Sequence, residues 1–268
     1  MAVTTFAAID VGSYDLQLAI YQISPKNGIQ CLNHVRKTVG AGTDTYAEGK
    51  ISYPLIDAMC GILLDFTEIM NEYQVKDYRA YATSALREAE NSQLVLDQIK
   101  VRTGIPVKIL SNSEQRFLCY KAIAIKENEF QKIIKKGTAI VDVGPGSTQL
   151  SLFDKDALVT TQYLQLGAVR IREILGHLDH DDYDTRTLIQ ELVDNDIDTF
   201  RKMFLKDREI KNIIATGICA LYLNRVSGQE QPADKITAQE FMDFYARIER
   251  MDYEQIALDM DIPIEHAY

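Results

Sequence analysis

Ile140-Val141-Asp142-Val143-Gly144-Pro145-Gly146-Ser147-Thr148-Gln149-Leu150-Ser151-Leu152-Phe153 reads as an apolar strand, a turn of small residues and a second strand. A strand that ends in Asp and opens into Gly-x-Gly-Ser-Thr brings backbone N–H groups, hydroxyls and a carboxylate to one point, which is the chemistry that holds a phosphate. The N-terminus repeats the design, with Phe6-Ala7-Ala8-Ile9-Asp10-Val11-Gly12-Ser13 running into Tyr14-Asp15-Leu16-Gln17-Leu18-Ala19-Ile20-Tyr21. One Asp-x-Gly-Ser alone is a common chain reversal. Two copies about 130 residues apart, each between apolar strands, predict two related lobes, each carrying a phosphate hairpin.

The chain length of 268 residues agrees, since it exceeds one ordinary core and suits two domains of ~130 residues. The boundary is expected at the basic stretch before the second hairpin, giving lobes over 1–130 and 131–268. With 46% apolar and 25% charged residues the composition is that of a soluble globular protein. The first residues lack a basic segment followed by an apolar run, and no stretch approaches the ~20 apolar residues that span a bilayer, so a cytoplasmic address is expected. Cys31, Cys60, Cys119 and Cys219 form no C-x-x-C pair and read as core thiols. A net charge of −10 disfavours a nucleic-acid polymer or an anionic membrane as partner, and a phosphate ligand then needs a local cation or a metal ion.

Outward from the hairpins, residues 29–39 suit a third antiparallel strand, and Gly40, Gly42 and Gly49 suggest a loop. A helix is expected from Tyr53 to about Tyr73, with Ile56, Met59, Cys60, Leu63, Phe66, Ile69 and Met70 on its core face. A strand over 78–83, a turn over Ser84 to Asn91 into a helix that runs to about Thr103 and is closed by Gly104, and a strand over 106–110 follow, an alternation that signals an α/β layer. A helix begins near Glu114 behind Ser111 and Ser113. In the second half, strands are expected over 158–166 and 213–217, a helix opens at Gly167-Ala168-Val169-Arg170, and long helices run over about 185–204 and from Thr237 with Phe241, Phe244, Tyr245 and Ile248 inward.

With these elements in place the chain resembles the exopolyphosphatase and guanosine pentaphosphate phosphohydrolase (Ppx/GppA) family of the actin-like ATPase superfamily. The resemblance rests on Ala8 to Ser13, Ala82-Thr83-Ser84-Ala85-Leu86-Arg87-Glu88-Ala89-x-Asn91, Leu110 to Gln115, Val141 to Thr148, Leu166 to Arg170 and Ala215-Thr216-Gly217, in the family's order. It implies an α/β fold of two ribonuclease-H-like lobes with the site in the cleft between them. It also implies a polyphosphate or guanosine polyphosphate ligand and a Mg2+ cofactor held by Asp10 and Asp142. The phosphate-binding residues are then Gly12, Ser13, Gly144, Gly146, Ser147 and Thr148, with Arg87 as the phosphoryl clamp. A homodimer is compatible with it. Relatives continue past the segment matching Asp261 to Tyr268, so the second lobe is expected to be truncated.

The chain departs from the family's pattern at the chemical centre. Gln115 stands where the usual catalytic glutamate is found, Gln149 replaces the glutamate that ends the second loop, Pro145 replaces its middle glycine, and Tyr14-Asp15 replaces Asn-Ser in the first loop. A carboxamide is neither a base near neutral pH nor a charged magnesium ligand, and proline lacks an N–H. The resemblance therefore implies a phosphohydrolase of weakened activity. Its alternative is a polyphosphate or nucleotide sensor that binds without cleaving. A sugar or acid kinase of the same superfamily fits less well, because the turn at Thr216-Gly217-Ile218 carries one glycine instead of two. His177 and His180 among Asp179, Asp181 and Asp182 read as a solvated turn ahead of a metal cluster, while Lys132, Lys135 and Lys136 fit a polyanion or a solvated helix end equally.

Overall fold

A computed structural model describes residues 3–126, 130–176, 185–217, 220 and 235–267. The chain divides into two compact units, Met1–Phe117 and Leu118–Tyr268. The division lies inside the helix Asn112–Lys126, upstream of the boundary at 130 expected from the sequence.

In the first unit, β1 (Thr4–Val11), β2 (Asp15–Ser24), β3 (Gly28–Thr38), β4 (Asp77–Ala82) and β5 (Lys108–Ile109) form one sheet in the order β3-β2-β1-β4-β5. The three leading strands pair antiparallel, while β4 and β5 run parallel to β1. Alternation assigns the faces: Ala7, Ile9 and Val11 lie opposite Ile20, Leu18 and Leu16, and all six are buried. Against them pack Ile56, Met59, Leu63 and Phe66 of α2 (Tyr53–Glu72), together with Val95 and Ile99 of α4 (Ser92–Thr103). The other face carries Asp10 opposite Gln17 on β2 and Tyr81 on β4.

One local expectation changes. The segment expected as a loop holds a helix, α1 (Ala41–Glu48), because Gly40 and Gly49 are its left-handed caps at φ 71° and 74°. The turn expected over Ser84 to Asn91 holds the short helix α3 (Ser84–Glu88) and leads into α4 as expected; Ala89 is extended, and the Asn91 amide bonds both the N–H and the C=O of Ile51 at 3.0 and 2.8 Å. Gly104 closes α4 at φ 74°, as expected.

In the second unit, β6 (Thr138–Val143), β7 (Thr148–Asp154), β8 (Ala157–Leu164) and β9 (Asn212–Thr216) form a sheet in the order β8-β7-β6-β9, with β9 parallel to β6. One face packs Leu150, Leu152 and Val141 on Phe200 of α8 (Thr185–Phe200) and on Phe204 and Leu205 of the π-helical turn Arg201–Leu205. The opposite face is covered by α5 (Asn112–Lys126) and α6 (Phe130–Ile133). There Tyr120 meets Phe153 edge-on at 5.4 Å and donates to Ser151 Oγ at 2.6 Å.

The helix Ala238–Ile248 has the expected Thr237 cap, with Glu240 completing a capping box. Its apolar stripe is not inward: Phe241 and Tyr245 are exposed, and none of the helix's residues is buried. Among the described cysteines Cys60 is a core thiol as expected, whereas Cys31 is exposed on the edge strand β3. No helix among the described residues is long and apolar enough to cross a membrane.

Candidate phosphate site

The second loop is a four-residue turn closed by Gly144 N–H donating to Ser147 O at 2.9 Å. Its two middle carbonyls are tied back by α7 (Ala168–Gly176). Pro145 O accepts from the N–H groups of Val169 and Arg170 at 2.9 and 3.3 Å, and Gly146 O accepts from Arg170 Nε at 2.7 Å. Among the described residues every peptide is trans, so a carbonyl held backwards points the N–H of the same peptide forwards. The forward donors are those of Gly146 and Ser147. Thr148 Oγ1 donates to Leu166 O at 2.8 Å, which fixes the loop from behind.

The first loop has the same plan, with a closing N–H and two middle carbonyls tied back, though by different donors. Gly12 N–H donates to Asp15 O at 3.0 Å, Ser13 O accepts from Gly42 N–H in the first turn of α1 at 2.6 Å, and Tyr14 O accepts from Val39 and Gly40 N–H at 2.9 Å each. The forward donors are here the N–H groups of Tyr14 and Asp15. In both loops the conserved geometry places Asp seven residues before a cross-strand Gln, Asp10 opposite Gln17 and Asp142 opposite Gln149. Ser13 therefore corresponds to Pro145, not to Ser147. Its hydroxyl is buried and bonds Tyr46 Oη at 2.8 Å and Ser84 Oγ at 2.9 Å, and Tyr46 Oη reaches Ser84 Oγ at 3.1 Å. Three hydroxyls in a ring can each donate once and accept once, which braces the loop against α1 and α3.

Also in the first unit, Arg87 in the last turn of α3 donates through Nη1 to Leu110 O at 2.7 Å and to Gln115 Oε1 at 3.4 Å. Two of the residues singled out from sequence, 28 positions apart, are thus in contact. Gln115 is placed by a capping box in which Ser111 N–H donates to Glu114 Oε2 at 2.9 Å and Glu114 N–H donates to Ser111 Oγ at 3.2 Å. Lys108 Nζ also bonds Glu114, and with the Ser111 bonds it holds that carboxyl down at about 2. Glu114 is consumed by this cap and faces Lys108, while its neighbour meets Arg87.

In the second unit a polar row crosses the sheet: Tyr163, Gln149, Asp142 and Thr216 are successive register partners. Thr216 Oγ1 donates to Asp142 Oδ1 at 2.9 Å, and Cys119 Sγ lies 3.8 Å from Thr216 Oγ1. Desolvation pushes the Asp142 carboxyl above its ordinary range, against the pull of the Thr216 bond. Gln149 is 3% exposed, and neither its Oε1 nor its Nε2 has a hydrogen-bond partner among the described residues. A buried carboxamide with both ends unmade is costly, and functional sites are where such groups are retained.

Several residues that shape the site carried no assigned role in the sequence. Arg170 is buried and holds Gly146 O, and a Cβ on Gly167 would stand 2.5 Å from Pro145 O and 2.6 Å from Ser147 N. Tyr46 was hidden inside the segment read as a loop. Their partners lie too far along the chain for spacing to expose them, although Gly-Ala-Val-Arg ahead of a helix was a signal that a helix start abuts something. Lys135 pairs with Asp156 at 3.4 Å on the surface. His177, His180 and the acidic residues among them lie outside the described residues, as does Cys219.

Two α/β units, each led by a hairpin whose turn follows a strand-end Asp, define the ribonuclease-H-like, actin-like ATPase class of fold. An exopolyphosphatase from Cytophaga hutchinsonii has this fold, matching with a TM-score of 0.78 at 19% identity over 98% of this chain and 88% of that one. The chain belongs to the Ppx/GppA phosphatase family, whose family model matches residues 19–260. It is similar to exopolyphosphatase 1 of Mycobacterium bovis, 24% identical over 163 residues, 61% of this chain and 46% of that protein. It is also similar to the guanosine-5'-triphosphate,3'-diphosphate pyrophosphatase of Photobacterium profundum, 25% identical over 167 residues, 61% of this chain and 32% of that protein. The matches thus span less than half the length of these curated relatives.

Proposed function

We propose that the protein binds the terminal phosphate of inorganic polyphosphate or of a guanosine penta- or tetraphosphate and removes it hydrolytically in the cytoplasm, at a rate held down by Gln115 and Gln149. The observation that carries this is the pair of matched turns. In each, two carbonyls are tied back, so that Tyr14 and Asp15, and Gly146 and Ser147, offer adjacent N–H groups to an anion. Family membership supports a phosphoryl group as that anion, and the relatives' names suggest the substrate class. Pro145 then removes little, because its part in the turn is a carbonyl and the forward donors are its two successors.

The residues suit a magnesium ion. Asp142 is a carboxylate whose charge is disfavoured by burial, a state a cation relieves, and Gln149 opposite it has an amide oxygen with no partner among the described residues. Magnesium commonly takes one or two carboxylates and fills its shell with water and substrate phosphates. In this proposal Asp142 and Asp10 hold the ion, which would neutralise charge on the phosphates.

Arg87 is the clamp, and Gln115 beside it orients the attacking water, as glutamine does in GTPases. Arg87→Ala should weaken tripolyphosphate binding by ~1.5–3 kcal/mol, the scale of a lost charge-assisted hydrogen bond. Calorimetric titration checks this, and an unchanged affinity removes Arg87 from the site. Phosphate release from polyphosphate and from guanosine pentaphosphate with magnesium tests the activity itself. A second reading, a sensor that binds without cleaving, is favoured by the neutral Gln149, and measurable binding with no release would establish it.

A further inference from the structure

We propose that Arg36 is a further cation of the phosphate site and that Asp15 holds it in check, so that an incoming terminal phosphate competes with Asp15 for the guanidinium. This deepens the phosphate-binding proposal and rests on it. Asp15 belongs to the first turn itself: its carbonyl closes the turn on Gly12, and its N–H is one of the forward donors. Its side chain is buried, accepts from Thr38 Oγ1 at 3.0 Å and pairs with Arg36 Nε at 3.3 Å.

A carboxylate within a phosphate-binding turn, in a chain of net charge −10, would repel the ligand unless a cation compensates it. Arg36 is the cation the fold supplies. From β3 it spans two acceptors, Asp15 with Nε and Gln17 Oε1 with Nη2 at 3.5 Å. Gln17 is the register partner of both Arg36 and Asp10, so the guanidinium sits in the strand row that contains the candidate metal ligand. Two strand spacings, ~9.6 Å, separate the backbones of Arg36 and Asp10, a gap that an arginine side chain and a phosphate together can bridge. The Arg36 side chain is 34% exposed and that of Asp15 only 9%. The cation is therefore open to an anion arriving from solvent, and the carboxylate is not. Arginine suits the exchange because its planar fork can keep one acceptor while presenting a second N–H edge to phosphate.

The test is calorimetric titration of the full chain with tripolyphosphate, with and without magnesium. Arg36→Gln should weaken binding about tenfold, the scale of one charge-assisted hydrogen bond. Asp15→Asn should tighten it by roughly fivefold, because the guanidinium loses its internal anion while Asn can still accept from Thr38. Arg36→Lys should recover part of the loss. The opposite signs are what a structural brace could not produce, since breaking a brace from either side loosens the turn and weakens binding in step with a fall in Tm. Weakening by both substitutions, or an unchanged affinity in Arg36→Gln, overturns the role of Arg36 and leaves the phosphate-binding proposal standing. A wild-type chain that binds no tripolyphosphate overturns both.

Discussion

Replacing Gln115 and Gln149 together by glutamate should raise magnesium-dependent phosphate release from polyphosphate by ~10²–10⁴-fold, the usual contribution of a general base. The two substitutions act differently because their surroundings differ. Gln115 touches Arg87 and is partly open, so Gln115→Glu places a carboxylate where the guanidinium keeps it ionised and water can reach it. Gln149 is buried with both amide atoms unmade, opposite a carboxyl already pushed up by burial. Without a cation, Gln149→Glu sets a second buried carboxyl beside Asp142, and Tm should fall. With magnesium the same substitution adds an anionic ligand, and Tm should recover. Thermal melts with and without the ion read this apart from turnover. Fast wild-type hydrolysis that drops on Gln115→Glu would contradict the proposal that Gln115 holds the rate down.

Gly217→Ala should cost about 2–4 kcal/mol of stability and abolish tripolyphosphate binding by the second loop, through backbone strain and a collision that has no side-chain remedy. Gly217 has φ +91°, and a Cβ there would stand 2.3 Å from Val143 O, 3.0 Å from Val143 C and 3.2 Å from Asp142 Oδ1. The obstacle is the strand that leads into the loop, so relief requires β6 and β9 to move apart where Asp142 and Thr216 are register partners. Chemical denaturation and calorimetry on the same variant measure both effects. Stability and affinity equal to wild type would show that the close approach of Gly217 to Val143 does not fix the loop.

The hairpins were legible because an Asp at a strand end, a glycine two residues on and apolar alternation on both sides are local patterns. The helix α2 was legible for the same reason: Ile56, Met59, Cys60, Leu63, Phe66 and Met70 recur at helical spacing and are all buried. The helix α1 was not, since glycines at 40, 42 and 49 look like a loop when listed by type. Gly40 and Gly49 are caps, and Gly42 is small because a Cβ would stand 2.7 Å from the Tyr46 ring and 3.0 Å from Ser13 O. At the site, Gln115, Arg87 and the two turns were picked out, but the equivalence of Ser13 with Pro145 was hidden, because matching Ser to Ser misaligns two turns of equal length. The bracing ring of Ser13, Tyr46 and Ser84 joins positions 33 and 71 residues apart, and the pairing of Arg36 with Asp15 depends on the register of β2 on β3. Tertiary pairing of this kind leaves no periodic trace in a single sequence.

In the proposed function each turn by itself presents backbone N–H groups to phosphate. Amide chemical-shift mapping by nuclear magnetic resonance during titration with tripolyphosphate and magnesium tests it most directly. The amides of Tyr14, Asp15, Gly146 and Ser147 should be among the most strongly shifted, and should saturate as the ligand is added. Amides of both turns left unmoved by the ligand would contradict the proposal.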